Sequence, residues 1–236
     1  MLSAESSSKT VELIACSKSD NHHSVLVVIP ERVPAKESIS GALTNVSKEF
    51  RTFLLASPLP PVDQVFEYIE HVYAAFQSEK IKRATVCGIG AGATVAQGLA
   101  LKHPKEVRRL VLLDATRRLA PGLVTRAIDK AERLFPLGLP LRRLTKEFDS
   151  GPFLHRIHCP TMILNSPSAS HYEKEQAAYL SSKIPNSWYD ALEHPFRNCS
   201  ETFSEELQEH LRQFLQVPVK RPQKSRKKKE KGRKAA

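Results

Sequence analysis

Three glycines at alternate positions, Gly88-Ile89-Gly90-Ala91-Gly92, stand between an apolar run and a stretch of small residues. A turn of that composition lets backbone N–H groups come close to a ligand, or lets a helix pack tightly on a strand. A dinucleotide-binding loop is one reading. It requires Gly or Ala three residues past its second glycine, met by Ala93, and an acid at the end of the next strand, met by Asp114. Those glycines belong early in a βαβ unit, however, and here they follow the third convincing strand. Two groups can move protons: Asp114, which closes an apolar run, and His194, in Glu193-His194-Pro195. A further group, His155-x-x-His158-Cys159 with His171 beyond it, has ligand-like residue types but no zinc spacing. It reads as loop histidines beside a core cysteine, and neither a metal nor a cofactor is expected.

These residues need elements to position them. Val25-Leu-Val-Val-Ile29 is a continuous apolar run stopped by Pro30, as in a buried parallel strand. Residues 52–56, 84–87, 110–113, 161–164 and 187–189 read as further strands, and 11–15 as an additional N-terminal one. Val62, Val65, Phe66, Ile69, Val72, Tyr73 and Phe76 recur at three- and four-residue steps, the stripe of an amphipathic helix. Residues 36–48, 93–102, 172–183 and 204–216 are the other helix candidates. Residues 115–150, rich in Leu and Arg and broken by Pro121, Pro136 and Pro140, read as a helical insertion. Strands alternating with helices predict a mostly parallel sheet covered on both faces.

Composition narrows the classes. The chain has 236 residues, 41% hydrophobic and 26% charged, with no apolar run near the roughly 18 residues of a membrane span. The Ser-rich start reads as neither secretory signal nor transit peptide. Cys16, Cys87, Cys159 and Cys199 form no CxxC pair, which suits free thiols in a reducing compartment. A cytoplasmic location is expected, or a nuclear one in a eukaryote.

The segment 80–115 resembles the central part of α/β-hydrolases: a strand, the G-x-S-x-G nucleophile elbow, a small-residue helix, His-Pro, another strand and an Asp. Here these are Gly88 and Gly92, the helix, His103-Pro104, the run at 110–113, and Asp114. The resemblance extends over roughly residues 22–216 and implies a three-layer α/β-hydrolase fold with a small helical cap at about 115–150. It also implies that Gly90 stands at the nucleophile position and that Ala91 supplies an oxyanion N–H. His194 falls at the catalytic histidine. Three departures accompany it. Gly90 has no side chain to attack with. The loop 165–170, where the family carries its acid, has none, leaving Asp114 as substitute or as an ordinary strand-end Asp. Pro30 lacks an N–H for the second oxyanion donor. Loss of a serine nucleophile costs on the order of a million-fold in kcat, and what is left depends on the oxyanion hole. The expectation is a degenerate triad and a binding or interaction module, with a small-molecule ligand near Gly90 as one option. The alternative is an enzyme using His194 with Asp114.

The net charge of +11 is uneven. From 220 to 236 stand Lys220, Arg221, Lys224, Arg226, Lys227, Lys228, Lys229, Lys231, Arg233 and Lys234 against one Glu, a net +9 that leaves +2 for residues 1–219. The tail has nothing apolar to bury and is expected to be disordered, next to a folded unit of residues 1–219. Its charge suits nucleic acid or a ribonucleoprotein, bound through phosphates without sequence specificity. An anionic membrane surface, or no dedicated partner at all, are the other readings of such a tail.

Overall fold

The computed structural model describes residues 11–16, 24–33, 46–61, 64–119, 148–194 and 205–216. The insertion's interior, the tail from 217 onward and the expected helix at 36–45 lie outside them. Seven strands form one sheet: β1 Leu13–Ala15, β2 Val25–Ile29, β3 Arg51–Leu55, β4 Ala84–Ile89, β5 Val107–Leu113, β6 Thr161–Asn165 and β7 Ser187–Ala191. Their order across the sheet is β1-β3-β2-β4-β5-β6-β7. Every pairing is parallel except β1 with β3, where Leu13 faces Leu55 and Ala15 faces Phe53. The additional strand foreseen at the N-terminus is thus real but antiparallel, a direction that no residue pattern encodes.

The central strands are apolar on both faces, and alternate residues feed two cores. Val27, Ile29, Phe53, Val86, Leu110, Leu112 and Ile163 point into the larger one. There they meet the buried faces of α1 (Val65–Ser78), α2 (Ala91–Lys102) and α3 (His171–Lys183). Leu26, Val28, Leu54, Val111, Leu113 and Leu164 point the other way, onto Leu207, Leu211 and Phe214 of α4 (Glu205–Gln216). The result is three layers: helices, sheet, helix.

Helix α2 is almost wholly buried and made of small residues, so glycine decides how close it comes. A Cβ on Gly88 would lie 2.5 Å from the Ala93 Cα and 2.8 Å from the Ala96 Cβ. A Cβ on Gly92 would strike the Ile29 carbonyl oxygen at the end of β2. The residue expected to begin the helix was 93, but the helix starts at Ala91, immediately after the turn. Residues 46–48 of the 36–48 helix candidate form a single 3-10 turn.

The flanks of the 115–150 insertion are pinned together. Arg118 and Asp149 form an isolated antiparallel bridge, and the Arg118 Nε donates to Asp149 Oδ2 at 2.9 Å. Beneath them the buried Gln97 donates to the Thr116 carbonyl at 3.0 Å and accepts from the Ser150 hydroxyl at 2.6 Å. A polar side chain in the middle of a buried helix is tolerated because both ends of its amide are bonded. The two flanks therefore lie side by side above α2.

Candidate functional site

The order of strands reverses around β2, with β3 on one side and β4 on the other. Crevices at the carboxyl ends of such strands are where open α/β sheets bind ligands. Two turns meet there: the one leaving β2 through Pro30 and Glu31, and the one leaving β4 through Gly90. Gly90 has φ 54° and ψ −120°, a left-handed conformation that side chains resist. Its N–H donates to the Leu113 carbonyl at 2.8 Å, so the turn is tied to the end of β5. Ala91 and Gly92 open α2, and the first N–H groups of a helix have no acceptor within it. The side-chain space above Gly90 is taken: a Cβ there would lie 2.5 Å from Glu31 Oε2. Across the turn, the β2 loop turns the carbonyl oxygens of Ile29 and Pro30 toward Gly92. They leave no room for a side chain at position 92.

Asp114 is buried, with φ 45°, at the end of β5. Its carboxylate accepts from the Ser166 N–H at 2.8 Å and from the Ser166 hydroxyl at 2.7 Å. That serine begins the acid-free loop after β6. The nearest carboxylate downstream, Glu173, forms the capping box of α3 with Ser170.

His194 lies on the surface, its side chain 69% exposed, and its Nδ1 sits 3.0 Å from Glu206 Oε2 in the first turn of α4. The same carboxylate accepts from the Glu193 N–H at 2.7 Å and the His194 N–H at 3.0 Å. Among the described residues Asp114 is hydrogen-bonded by Ser166, and His194 by Glu206. Sequence reasoning missed Glu31, Ser166 and Glu206. Ser166 and Glu206 lie 52 and 12 residues from their partners, and no spacing rule connects them.

The Glu206 clasp makes a pH prediction. Partial burial pushes this carboxyl up, but the bonds from the Glu193 N–H, the His194 ring and the His194 N–H outweigh it and hold it below its ordinary value. A depressed folded pKa contributes stability above the unfolded pKa and loses it as pH falls through the folded one. His194 amide and ring NMR signals should accordingly shift in the parent as pH falls below the ordinary carboxylate range, and lose that step in Glu206→Gln. An identical acid titration in both proteins would remove the clasp.

The histidine group outside this region is dispersed. His155 and His158 are exposed, and burial pushes the Cys159 thiol up to about 11. Among the described residues no three His, Cys, Asp or Glu side chains gather as metal ligands. The His103 ring lies at the far end of α2, bonded to Glu70 at 2.8 Å and stacked on Tyr73. It fastens α2 to α1 rather than facing the crevice.

No family model and no curated protein matches the chain. Solved structures do. A hydrolase from Pseudomonas aeruginosa PA01 aligns with a TM-score of 0.64 at 16% identity, over 88% of this chain and 94% of that one. The enol-lactonase from Burkholderia xenovorans LB400 aligns with 0.63 at 15% identity, over 87% and 96%. MenH from S. aureus aligns with 0.63 at 15% identity, over 88% and 98%. The chain has the α/β-hydrolase fold. At such identities the likeness speaks for the fold alone. Gly90 lies in the turn between β4 and α2 of that fold. No described helix is long and apolar enough to cross a membrane.

Proposed function

We propose that this chain is a non-hydrolytic protein on the α/β-hydrolase fold, acting as a binding or interaction module whose basic tail contacts nucleic acid. The observation that carries this reading is Gly90: the turn keeps its left-handed backbone and has no atom that could attack a carbonyl. Its surroundings support the reading. Glu31 fills the space where a nucleophile side chain would stand, and its negative charge opposes an oxyanion at the same spot. Asp114 is engaged by Ser166, and His194 by Glu206. The elbow then serves as a packing device between β4 and α2. For the tail, the support is its charge: ten basic residues against one acidic.

The test is hydrolysis of short-chain nitrophenyl esters by the purified chain. We expect no turnover above buffer, and the same trace for His194→Ala. Turnover that His194→Ala or Asp114→Asn abolishes would overturn the proposal in favour of an active hydrolase-family enzyme on a small-molecule substrate. That second reading draws on the exposure of His194, which leaves its Nε2 open to a substrate.

A further inference from the structure

The sheet has a second edge, formed by the amino ends of its parallel strands and opposite the Gly90 crevice. Parallel registration fixes which segments meet there. Ala84 of β4 pairs with Val107 of β5, Leu110 with Thr161 of β6, and Thr161 with Ser187 of β7. Bonds between the segments that lead into them knit the edge further. The Ala84 N–H donates to the Glu106 carbonyl at 2.8 Å, and the Asn186 side chain donates to the His158 carbonyl at 3.1 Å.

These segments are basic. Residues 79–83 carry Lys80, Lys82 and Arg83, and residues 103–109 carry Lys105, Arg108 and Arg109. Arg156 and Lys183 belong to the segments before β6 and β7. Against these eight stand Glu79 and Glu106, a net +6. Residues 1–219 sum to only +2, so these segments are far more basic than that unit as a whole. Lys82, Arg83 and Lys105 are exposed and enter no ion pair among the described residues. The crowding is felt at Arg109, whose guanidinium burial holds below its ordinary value, with the like charges of Arg108 and Arg83 adding to the effect.

The last described helix also ends at this edge. Helix α4 starts near the carboxyl ends of the strands, where Glu206 holds His194, and runs the opposite way. Its Arg212 is 2.7 Å from Glu49, just ahead of β3, and Phe214 meets Trp188, the second residue of β7, edge to face at 5.7 Å. Gln216, its last residue, is followed within four positions by Lys220, the first of the tail's ten basic residues.

We infer that the amino-end edge of the sheet, through Lys82, Arg83, Lys105 and their neighbours, is a phosphate-binding surface for the backbone of a nucleic acid. This rests on the reading of the tail as a nucleic-acid contact and extends it to the folded unit: the tail provides local concentration, and the edge provides fixed cations. The exposed groups offered by Lys82, Arg83 and Lys105 are cations alone, so recognition through them is of phosphodiesters.

The test is fluorescence anisotropy with a labelled 20-nucleotide RNA and the DNA of the same sequence, across a salt series, using full-length chains. Lys82→Glu/Arg83→Glu/Lys105→Glu should weaken binding at least about tenfold at low salt and flatten the slope of log K on log salt by about 2, the loss of roughly three phosphate contacts. A charge-matched pair guards against a mere net-charge effect. Lys82→Glu should weaken binding severalfold, whereas Lys174→Glu, in the first turn of α3 at the opposite edge, should change it little. Circular dichroism of each variant checks folding. RNA and DNA binding alike support a backbone site, and a preference identifies which of the two is the ligand. Edge variants that bind as the parent does, while neutralising Arg226, Lys227, Lys228 and Lys229 to Gln abolishes binding, would overturn the edge and leave the tail reading intact. No binding by the parent at low salt would sink both. So would tighter binding to vesicles containing phosphatidylserine than to either nucleic acid.

Discussion

Gly88→Ala is expected to destabilise the protein by about 3 kcal/mol, the upper end of what overpacking a core costs. The added methyl would lie 2.5 Å from the Ala93 Cα, 2.8 Å from the Ala93 N and 2.8 Å from the Ala96 Cβ. Two of those atoms are backbone and the third is the stub of a side chain, so no rotamer change can make room. Helix α2 would have to lift off β4 as a body and loosen its contacts with Ile69 and Phe148 as well. Gly98→Ala is the comparison. Its methyl meets the end of the Ile69 side chain, which can swing aside, and a loss of about 1 kcal/mol is expected. Urea unfolding of the two variants measures the difference directly. If Gly88→Ala proved no more costly than Gly98→Ala, the close-packing role of the first glycine would be wrong.

Asp114→Ala should cost a similar amount, about 3 kcal/mol, by a different route. Two donors of Ser166, one of them a backbone N–H, converge on the carboxylate in a buried setting. Removing the acceptor leaves the buried N–H without a partner and the hydroxyl with only the Ser168 hydroxyl at 3.0 Å, at roughly 1–3 kcal/mol for an unsatisfied group. The positive φ of Asp114 adds strain for alanine that Asp and Asn tolerate better. Asp114→Asn keeps an acceptor and the backbone preference, so it should cost about 1 kcal/mol. Thermal melts should show the alanine variant lower by very roughly 6–12 °C and the asparagine variant by a few degrees. Equal losses in the two would mean that charge, not hydrogen bonding, holds the loop after β6.

Both variants bear on the functional reading. An Asp114 whose removal chiefly unfolds the loop after β6 is a fastening residue, and an elbow whose glycines chiefly set helix spacing is a packing device. Both outcomes would fit the proposed non-hydrolytic reading. The ester assay then decides whether chemistry goes with them.

Much of this was legible along the chain. Continuous apolar runs at 25–29, 110–113 and 161–164 specify strands buried on both faces, because a strand in a parallel sheet has no solvent side. The stripe from Val65 to Phe76 specifies a helix that is half buried, and α1 buries Val65, Ile69, Val72 and Phe76. Gly88, Gly90 and Gly92 mark a turn between strand and helix, since two of them need to vanish sterically and the third needs a positive φ. These signals are local: backbone preference and side-chain period act within a few residues, where the sequence can be read directly.

What acts between distant residues was decided only by the tertiary structure. The antiparallel direction of β1 follows from the edge it joins, not from Leu13, Ile14 or Ala15 themselves. Asp114 and His194 look like a pair in the sequence because both are titratable and fall where a familiar order puts them. In the fold Asp114 is bonded by Ser166 and His194 by Glu206, partners that no spacing in the sequence connects to them. The basic edge is the extreme case. Lys82, Lys105, Arg156 and Lys183 are scattered over a hundred residues of chain, and each alone is an ordinary surface charge. They share one edge because parallel strands all begin on the same side.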